Sequence, residues 1–385
     1  MLKKIFKPFR QSETFKIFLF YFFRLFPIKK NKIVFCNFSG KRCGDSPRSI
    51  SDYLQNKHPD LDIVWLCHPE YNPELPKGTR KVAFSLYSFK MIYELATAKV
   101  WVDSHTKFAF TRKRKNQFYM ETWHGGIGLK KVEGDVKESL DAAYMKRVHV
   151  NSNLIDVFFF FFQWASELYK RAFFYKGTLL ESGLPRNDIF FKNQNVNEIH
   201  KYYKLAPHIN ILLYAPTFRA DDSVECYNID TKKILEVLEN KTSEKWVILV
   251  RLHPMAMKLK HKIEFNSSVI DATNYPDMQK LLLEASALVS DYSSCMFDYA
   301  LLKRPCFIFA NDILAYKNDR DFYFDLKDLP FSVAENNDEL ETNILKFNQK
   351  QFENDLVKFF KNVGLKENGN ATEIASKQIE IWMNL

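Results

Sequence analysis

From residue 32 onward the chain alternates short β-branched and aromatic runs with longer stretches of helical periodicity, and it does so twice. A strand, a helix and another strand in succession fold as parallel α/β layers. The first series predicts strands at 32–37, 62–67, 80–84, 98–103, 117–122, 147–151 and 178–181, with helices at 47–56, 86–96 and 153–173. A polar stretch at 192–204 interrupts the pattern. Strands are then expected at 211–215, 246–250, 268–270, 287–290 and 306–309, with helices at 231–239, 277–285 and 294–302. A chain of 385 residues exceeds one hydrophobic core, so two domains are expected, 32–195 and 205–385, after a segment 1–31 of different character. Sheets of this kind bind ligands beyond the carboxyl ends of their strands.

The segment 1–31 stands apart by its charge. Residues 1–32 hold nine bases and one acid, which is +8 of the net +10, so the other 353 residues carry only +2. Nucleic-acid binding needs a basic face on the folded body, and none is expected here. The same end carries Phe15-Lys-Ile-Phe-Leu-Phe-Tyr-Phe-Phe-Arg-Leu-Phe26. Twelve helical residues reach roughly 18 Å, short of the ~30 Å needed to span a bilayer. Aromatics flanked by bases suit an amphipathic helix lying on an anionic membrane surface; packing of this helix on the protein's own core is the alternative. The six cysteines form no CxxC pair and read as buried thiols in a reducing compartment. The nine histidines form no HxH or HxxxH pair, so no zinc site is expected.

Six polar motifs follow predicted strands. In Ala287-Leu-Val-Ser-Asp-Tyr-Ser-Ser-Cys-Met-Phe-Asp298, Ser293 and Ser294 open a helix, where they either cap it or receive a phosphate. Asp291 and Asp298 repel a bare phosphate and so bind hydroxyls or orient neighbours. In Trp246-Val-Ile-Leu-Val-Arg-Leu-His-Pro254, Arg251 and His253 leave a buried strand on one face, a guanidinium fork beside an imidazole. Phe118-Tyr-Met-Glu-Thr-Trp-His-Gly-Gly126 places His124 beside Gly125 and Gly126, with Lys130 and Lys131 following. An imidazole there is suited to accept a proton from an attacking hydroxyl. Tyr214-Ala-Pro-Thr-Phe-Arg219 presents Thr217 and Arg219, and Gly183-Leu-Pro-Arg-Asn-Asp188 presents Arg186 and Asp188. The loop Ser39-Gly-Lys-Arg-Cys-Gly-Asp-Ser-Pro-Arg48 is glycine-containing but matches no standard phosphate-loop motif.

In order along the chain, SGKRCGDSPR, ETWHGGIGLKK, GLPRND, YAPTFR, RLHP, SDYSSCMFDYALLKRP and DRDFYFDL resemble the CDP-glycerol glycerophosphotransferase family of teichoic acid and capsule synthesis. The resemblance covers about residues 32–330. It implies a GT-B-like fold, two Rossmann-like domains facing a cleft, with CDP-glycerol bound mainly by the second. It implies His124 as catalytic base, and His253 with Arg251 on the donor's diphosphate. Thr217, Arg219, Ser293 and Ser294 would complete the phosphate shell, with Asp291 also at the donor site, supported by Gly125, Gly126, Lys130, Arg186, Asp188 and Asp298. Many members read WHGTPLK, whereas this chain has His124-Gly-Gly-Ile-Gly-Leu-Lys130, one residue longer.

The reaction so implied is attack of an acceptor hydroxyl on the donor's β-phosphorus with release of CMP. The acceptor is a lipid-linked saccharide or polyol phosphate of a teichoic acid or capsule, met at the cytoplasmic face of the cell membrane. No tightly bound cofactor or metal is expected, and Mg²⁺ is left open as a loosely associated ion. CDP-ribitol as donor, a GT-B nucleotide-sugar glycosyltransferase and a non-catalytic polymer-binding paralogue remain as alternatives. The sequence shows no long N-terminal extension to hold a growing polymer, which points to few additions.

Overall fold

The computed structural model describes residues 12–85, 88–126, 128–192, 197–219, 227–319 and 321–385. Two compact units are present: Met1–His124, Val132–Phe191 and Leu365–Leu385 form one, and Gly125–Lys131 with Lys192–Gly364 form the other.

Unit 1 is built on a parallel sheet of β1 (Lys29–Cys36), β2 (Asp62–Cys67), β3 (Arg80–Ala83), β4 (Ala98–Asp103), β5 (Phe118–Glu121), β6 (Val157–Phe160) and β7 (Thr178–Glu181). Its spatial order is β3-β2-β1-β4-β5-β6-β7. Unit 2 carries β8 (Asn210–Ala215), β9 (Trp246–Val250), β10 (Val269–Asp271), β11 (Ala287–Ser290), β12 (Cys306–Phe309) and β13 (Ser332–Ala334), ordered β10-β9-β8-β11-β12-β13. Each sheet begins in its centre, winds one way for three strands, then reverses. That is the doubly wound, Rossmann-type order, and the reversal falls between β1 and β4 in one unit and between β8 and β11 in the other.

The strands are apolar because both faces are covered. In unit 1, Ile33, Phe35, Trp65, Val100 and Val102 pack with Ile50 and Leu54 of the helix Asp45–Lys57, and with Ala375, Ile379 and Met383 of the helix Ala371–Met383. In unit 2, Leu212, Ile248, Val250, Val289 and Phe307 pack with Ile234 and Leu238 of the helix Thr231–Thr242, and with Leu340 and Ile344 of the helix Asn337–Lys346.

Three features differ from the sequence reading. Residues 147–151 lie inside the helix Ala142–Leu154, whose N-cap Asp141 accepts the amide of Tyr144. The strand is the more apolar run Val157–Phe160, inside the helix expected at 153–173, of which only Gln163–Ala172 forms a helix after that strand. The three-residue β13 was not expected. Most telling, residues 365–385 belong to unit 1 and 125–131 to unit 2, whereas the reading gave 205–385 to the second domain and 32–195 to the first. The return of the C-terminus has a physical cause: Asp188 accepts the amides of Ala371 (3.0 Å) and Thr372 (2.7 Å), capping the helix that covers the first sheet.

Of the segment 1–31, residues 1–11 lie outside the described residues. A helix at Glu13–Phe23 buries Lys16, Leu19 and Phe20, with Phe20 against Phe110 and Phe23 edge-on to Tyr93. Phe18, Tyr21 and Phe22 project from it, and Leu25 and Phe26 follow, all exposed. No helix among the described residues is long and apolar enough to cross a membrane. Cys36, Cys67 and Cys306 are buried, Cys43 and Cys295 are half-buried, and Cys226 lies outside the described residues.

The C-terminal helix should therefore matter to unit 1. Ile379→Ala is expected to destabilise it by about 2–5 kcal/mol and Asp188→Ala by about 1–2 kcal/mol. Hydrogen exchange at the amides of β1 and β4 reads the loss directly.

Candidate active site

The clusters of interest stand at the two reversal points. In unit 1, β5 runs into Thr122, whose amide donates to Asp103 O (2.8 Å), and then into Trp123, whose φ of 55° is left-handed. That conformation costs a non-glycine residue on the order of 1 kcal/mol. It turns the chain so that His124 comes back over the end of β4. His124 Nδ1 lies 2.9 Å from Ser104 O. A carbonyl only accepts, so the proton sits on Nδ1 and Nε2 keeps its lone pair.

The ring is held on its other sides as well. It lies parallel to His105 (5.6 Å between centroids, 8°) and beside Phe38 (5.0 Å). Its own carbonyl accepts from Arg186 Nη1 (2.8 Å), a guanidinium that also pairs with Asp45 (3.1 Å). His124 is half-buried, and its surroundings push its pKa down to about 4, desolvation first and the like charge of His105 second. At neutral pH the imidazole is therefore uncharged, with Nε2 unprotonated.

In unit 2 the loop after β8 is knitted to the end of β11. The amide of Thr217 donates to both Asp291 oxygens (2.9 and 3.0 Å), and its hydroxyl donates to Asp291 as well. Arg219 is buried and pairs with Asp291 (2.9 Å) and Asp312 (2.5 Å), its guanidinium 4.9 Å from the ring of Tyr292 and 4.7 Å from that of Tyr316. Tyr292 OH donates to Asp312 (2.8 Å), which holds that carboxyl below its usual range together with Arg219, against the cost of burial. Arg251 donates to Tyr275 O (3.0 Å). His253 is exposed and its Nδ1 accepts the Met255 amide (3.2 Å), which places the ring proton on Nε2.

The predicted residues thus fall into groups. His124 and Arg186 come together in unit 1, and Asp188 stands apart as a helix cap. Thr217, Arg219 and Asp291 form one network in unit 2. Ser294 occupies the N-cap position of the short helix Cys295–Ala300 without a side-chain capping bond, while Ser293 Oγ accepts the Cys295 amide at 3.4 Å. Asp298 is buried and accepts from Gln279 (3.1 Å), the role of orienting a neighbour. Gly125, Gly126 and Lys130 lie on the segment that belongs to unit 2. Lys130 bridges Phe322 and sets its ammonium 4.9 Å from Tyr316, and the Lys131 amide donates to Asp321 O (2.9 Å).

Residues that the sequence reading missed are Asp45, Asp103, Ser104, His105, Tyr292, Tyr316 and Asp312. A signal existed for three of them: Val102-Asp-Ser-His105 puts an acid, a hydroxyl and an imidazole at the end of a predicted strand, as the chosen motifs do. Among the described residues no group of three or more His, Cys, Asp or Glu side chains is arranged to hold a metal ion.

Comparison with known proteins identifies a family and a fold. Residues 17–380 match the family model described as CDP-Glycerol:Poly(glycerophosphate) glycerophosphotransferase. The teichoic acid poly(glycerol phosphate) polymerase of Staphylococcus epidermidis is 30% identical over 90% of this chain and 50% of its own length. The enzyme of that name from Bacillus subtilis is 29% identical over 85% of this chain and 45% of its own. The chain therefore spans about half the length of these curated relatives. A crystal structure of the wall teichoic acid polymerase TagF soaked with CDPG superposes with a TM-score of 0.84 at 27% identity, covering 100% of this chain and 98% of that one.

The depressed basicity of His124 is directly measurable. An NMR titration is expected to find its midpoint near 4, well below the free-imidazole value of about 6.5, and His105→Phe should raise it by removing the like charge.

Proposed function

The chain belongs to the CDP-glycerol:poly(glycerophosphate) glycerophosphotransferase family, and from that premise we propose that it transfers glycerol phosphate from CDP-glycerol to a hydroxyl of a lipid-linked teichoic acid or capsule acceptor. The observation that carries the reading is His124: half-buried, uncharged, its proton fixed on Nδ1 by Ser104 O and its Nε2 available. In the proposed step the acceptor oxygen forms a bond to the β-phosphorus, and the bond from that phosphorus to the bridging oxygen breaks. CMP carries away the bond's electrons, and Nε2 takes the hydroxyl proton. Positioning and charge neutralisation supply most of the acceleration in such transfers.

The diphosphate is assigned to the reversal point of the second sheet. Ser293, Ser294 and the exposed His253 are its direct donors in this reading. Thr217, Arg219 and Asp291 form the frame that fixes the neighbouring loop, because their polar atoms are engaged with one another. Arg251 braces the loop before His253 through Tyr275. No tightly held metal is part of the proposal, and magnesium enters at most as the donor's counter-ion.

Attachment to the cytoplasmic face of the membrane is proposed on the helix Glu13–Phe23. Its inner face is anchored to unit 1, while Phe18, Tyr21, Phe22, Leu25 and Phe26 point outward. The basic run Arg112–Lys115 is tied to the same place: Arg24 donates to Lys113 O (3.1 Å) and Arg114 to Phe26 O (2.8 Å). Aromatics beside bases are what an anionic headgroup layer binds.

Two measurements test this reading. Acceptor-dependent release of CMP from CDP-glycerol is expected, with His124→Ala lowering it by about 10²–10⁴-fold; CMP from CDP-ribitol alone would reassign the donor, and release of a nucleoside diphosphate from a nucleotide sugar would replace the reaction. Separately, Phe18→Ser/Phe22→Ser/Leu25→Ser should cut co-sedimentation with phosphatidylglycerol vesicles at least tenfold without unfolding the protein. Undiminished binding would remove the helix from the membrane.

A further inference from the structure

His124 is reached from two strands that end side by side. Asp103 closes β4 and Glu121 closes β5, and the two are register partners in the parallel pair. Both are buried. Neither carboxyl touches the imidazole. Each instead holds the backbone immediately after its own strand. Asp103 Oδ1 accepts the amides of Ser104 (2.8 Å) and His105 (3.2 Å), which aims Ser104 O at His124 Nδ1. Glu121 Oε1 accepts the amide of Trp123 (3.0 Å), the left-handed residue that turns His124 back.

We propose that Asp103 and Glu121 are a paired set of positioning residues, one fixing the carbonyl that selects the tautomer of His124 and the other fixing the strained turn that places its ring. The inference rests on the reading of His124 as the proton acceptor.

The rest of the cluster explains how two acids share this space. Lys107 is buried and pairs with Asp103 Oδ2 (2.6 Å), its ammonium 4.8 Å from the ring of Tyr119. Tyr119 OH donates to Glu121 Oε2 (2.6 Å) and lies 3.2 Å from Asn151 Oδ1, which also accepts the Lys107 amide (2.9 Å). Burial, with the charge of Asp103 second, raises Glu121 to about 8. The Lys107 ammonium thus matches Asp103, and the tyrosine hydroxyl and the Trp123 amide hold the two oxygens of Glu121. Ser104 Oγ donates to Asn37 Oδ1 (2.5 Å), joining the turn to the loop after β1 across the reversal of strand order.

Placing without touching predicts a particular kinetic signature. Asp103→Ala and Glu121→Ala should lower kcat by about 10- to 100-fold, the usual effect of displacing a reacting group by about 1 Å. KM for CDP-glycerol should stay within about twofold, since neither residue belongs to the proposed donor site. Asp103→Asn and Glu121→Gln keep an acceptor oxygen for the same amides and should recover most of that loss. Alanine variants that fold and turn over at the wild-type rate would overturn the pairing while leaving the function intact. The same holds if the loss appears in KM, or if the amide variants are as slow as the alanine ones. Wild-type activity in His124→Ala would instead defeat the reading beneath it. Should an alanine variant fail to fold, ¹⁵N NMR of histidine-labelled wild-type protein decides: a neutral ring with its proton on Nδ1 is expected, and one on Nε2 overturns the assignment.

Discussion

The reversal of strand order at the centre of each sheet is the constraint from which the rest follows. Where neighbouring strands send their connections to opposite faces, the backbone beyond their carboxyl ends is left uncovered. Its amides and carbonyls then need partners. Both units meet that need with a buried acid at the end of the fourth strand. Asp103 takes two amides of its own turn, and Ser104 joins the loop after β1. Asp291 takes the Tyr292 amide (2.6 Å), then the Thr217 amide and Arg219 from the loop after β8. The polar groups at both reversal points are thus framework before they are chemistry.

That distinction separates residues which look alike in sequence. Arg186 and Arg219 both stand in short polar motifs near a strand end. Arg186 bonds the carbonyl of His124 itself. Arg219 is enclosed between two carboxylates and two tyrosine rings, so its charge is balanced inside unit 2. Removing one partner from such a buried pair leaves an uncompensated charge, a loss of about 3–5 kcal/mol. A guanidinium so engaged holds the local framework together, and chain motifs alone do not reveal that engagement.

The strands and the doubling of the fold were legible because they follow from local hydrophobic runs, and His124 stood out as a candidate from the motif that follows its strand. What escaped has nonlocal causes. Arg147-Val-His-Val150 carries β-branched residues, yet a cap six residues upstream makes it helix, and Val157–Phe160 takes the place beside β5. The apolar positions of the helix Ala371–Met383 show that it packs on something. That this is the first sheet depends on Asp188, 183 residues earlier, accepting from Ala371. Asp103 and Glu121 each bond amides one or two residues on in their own strand-end turns, and only the parallel register sets the two turns side by side.

The choice of a carbonyl as partner of His124 Nδ1 has an electrostatic consequence. A carboxylate there would stabilise the imidazolium and raise its pKa, leaving less free base at neutral pH. A carbonyl fixes the same tautomer without that charge. The two acids that organise the turn act through amides and bond other partners, Asp103 with Lys107 and Glu121 with Tyr119, and not the ring itself. Desolvation and the stacked His105 then dominate and hold it neutral. The geometry that orients the proposed base and the surroundings that keep its ring unprotonated thus come from different groups, with the orienting acids at the ends of β4 and β5.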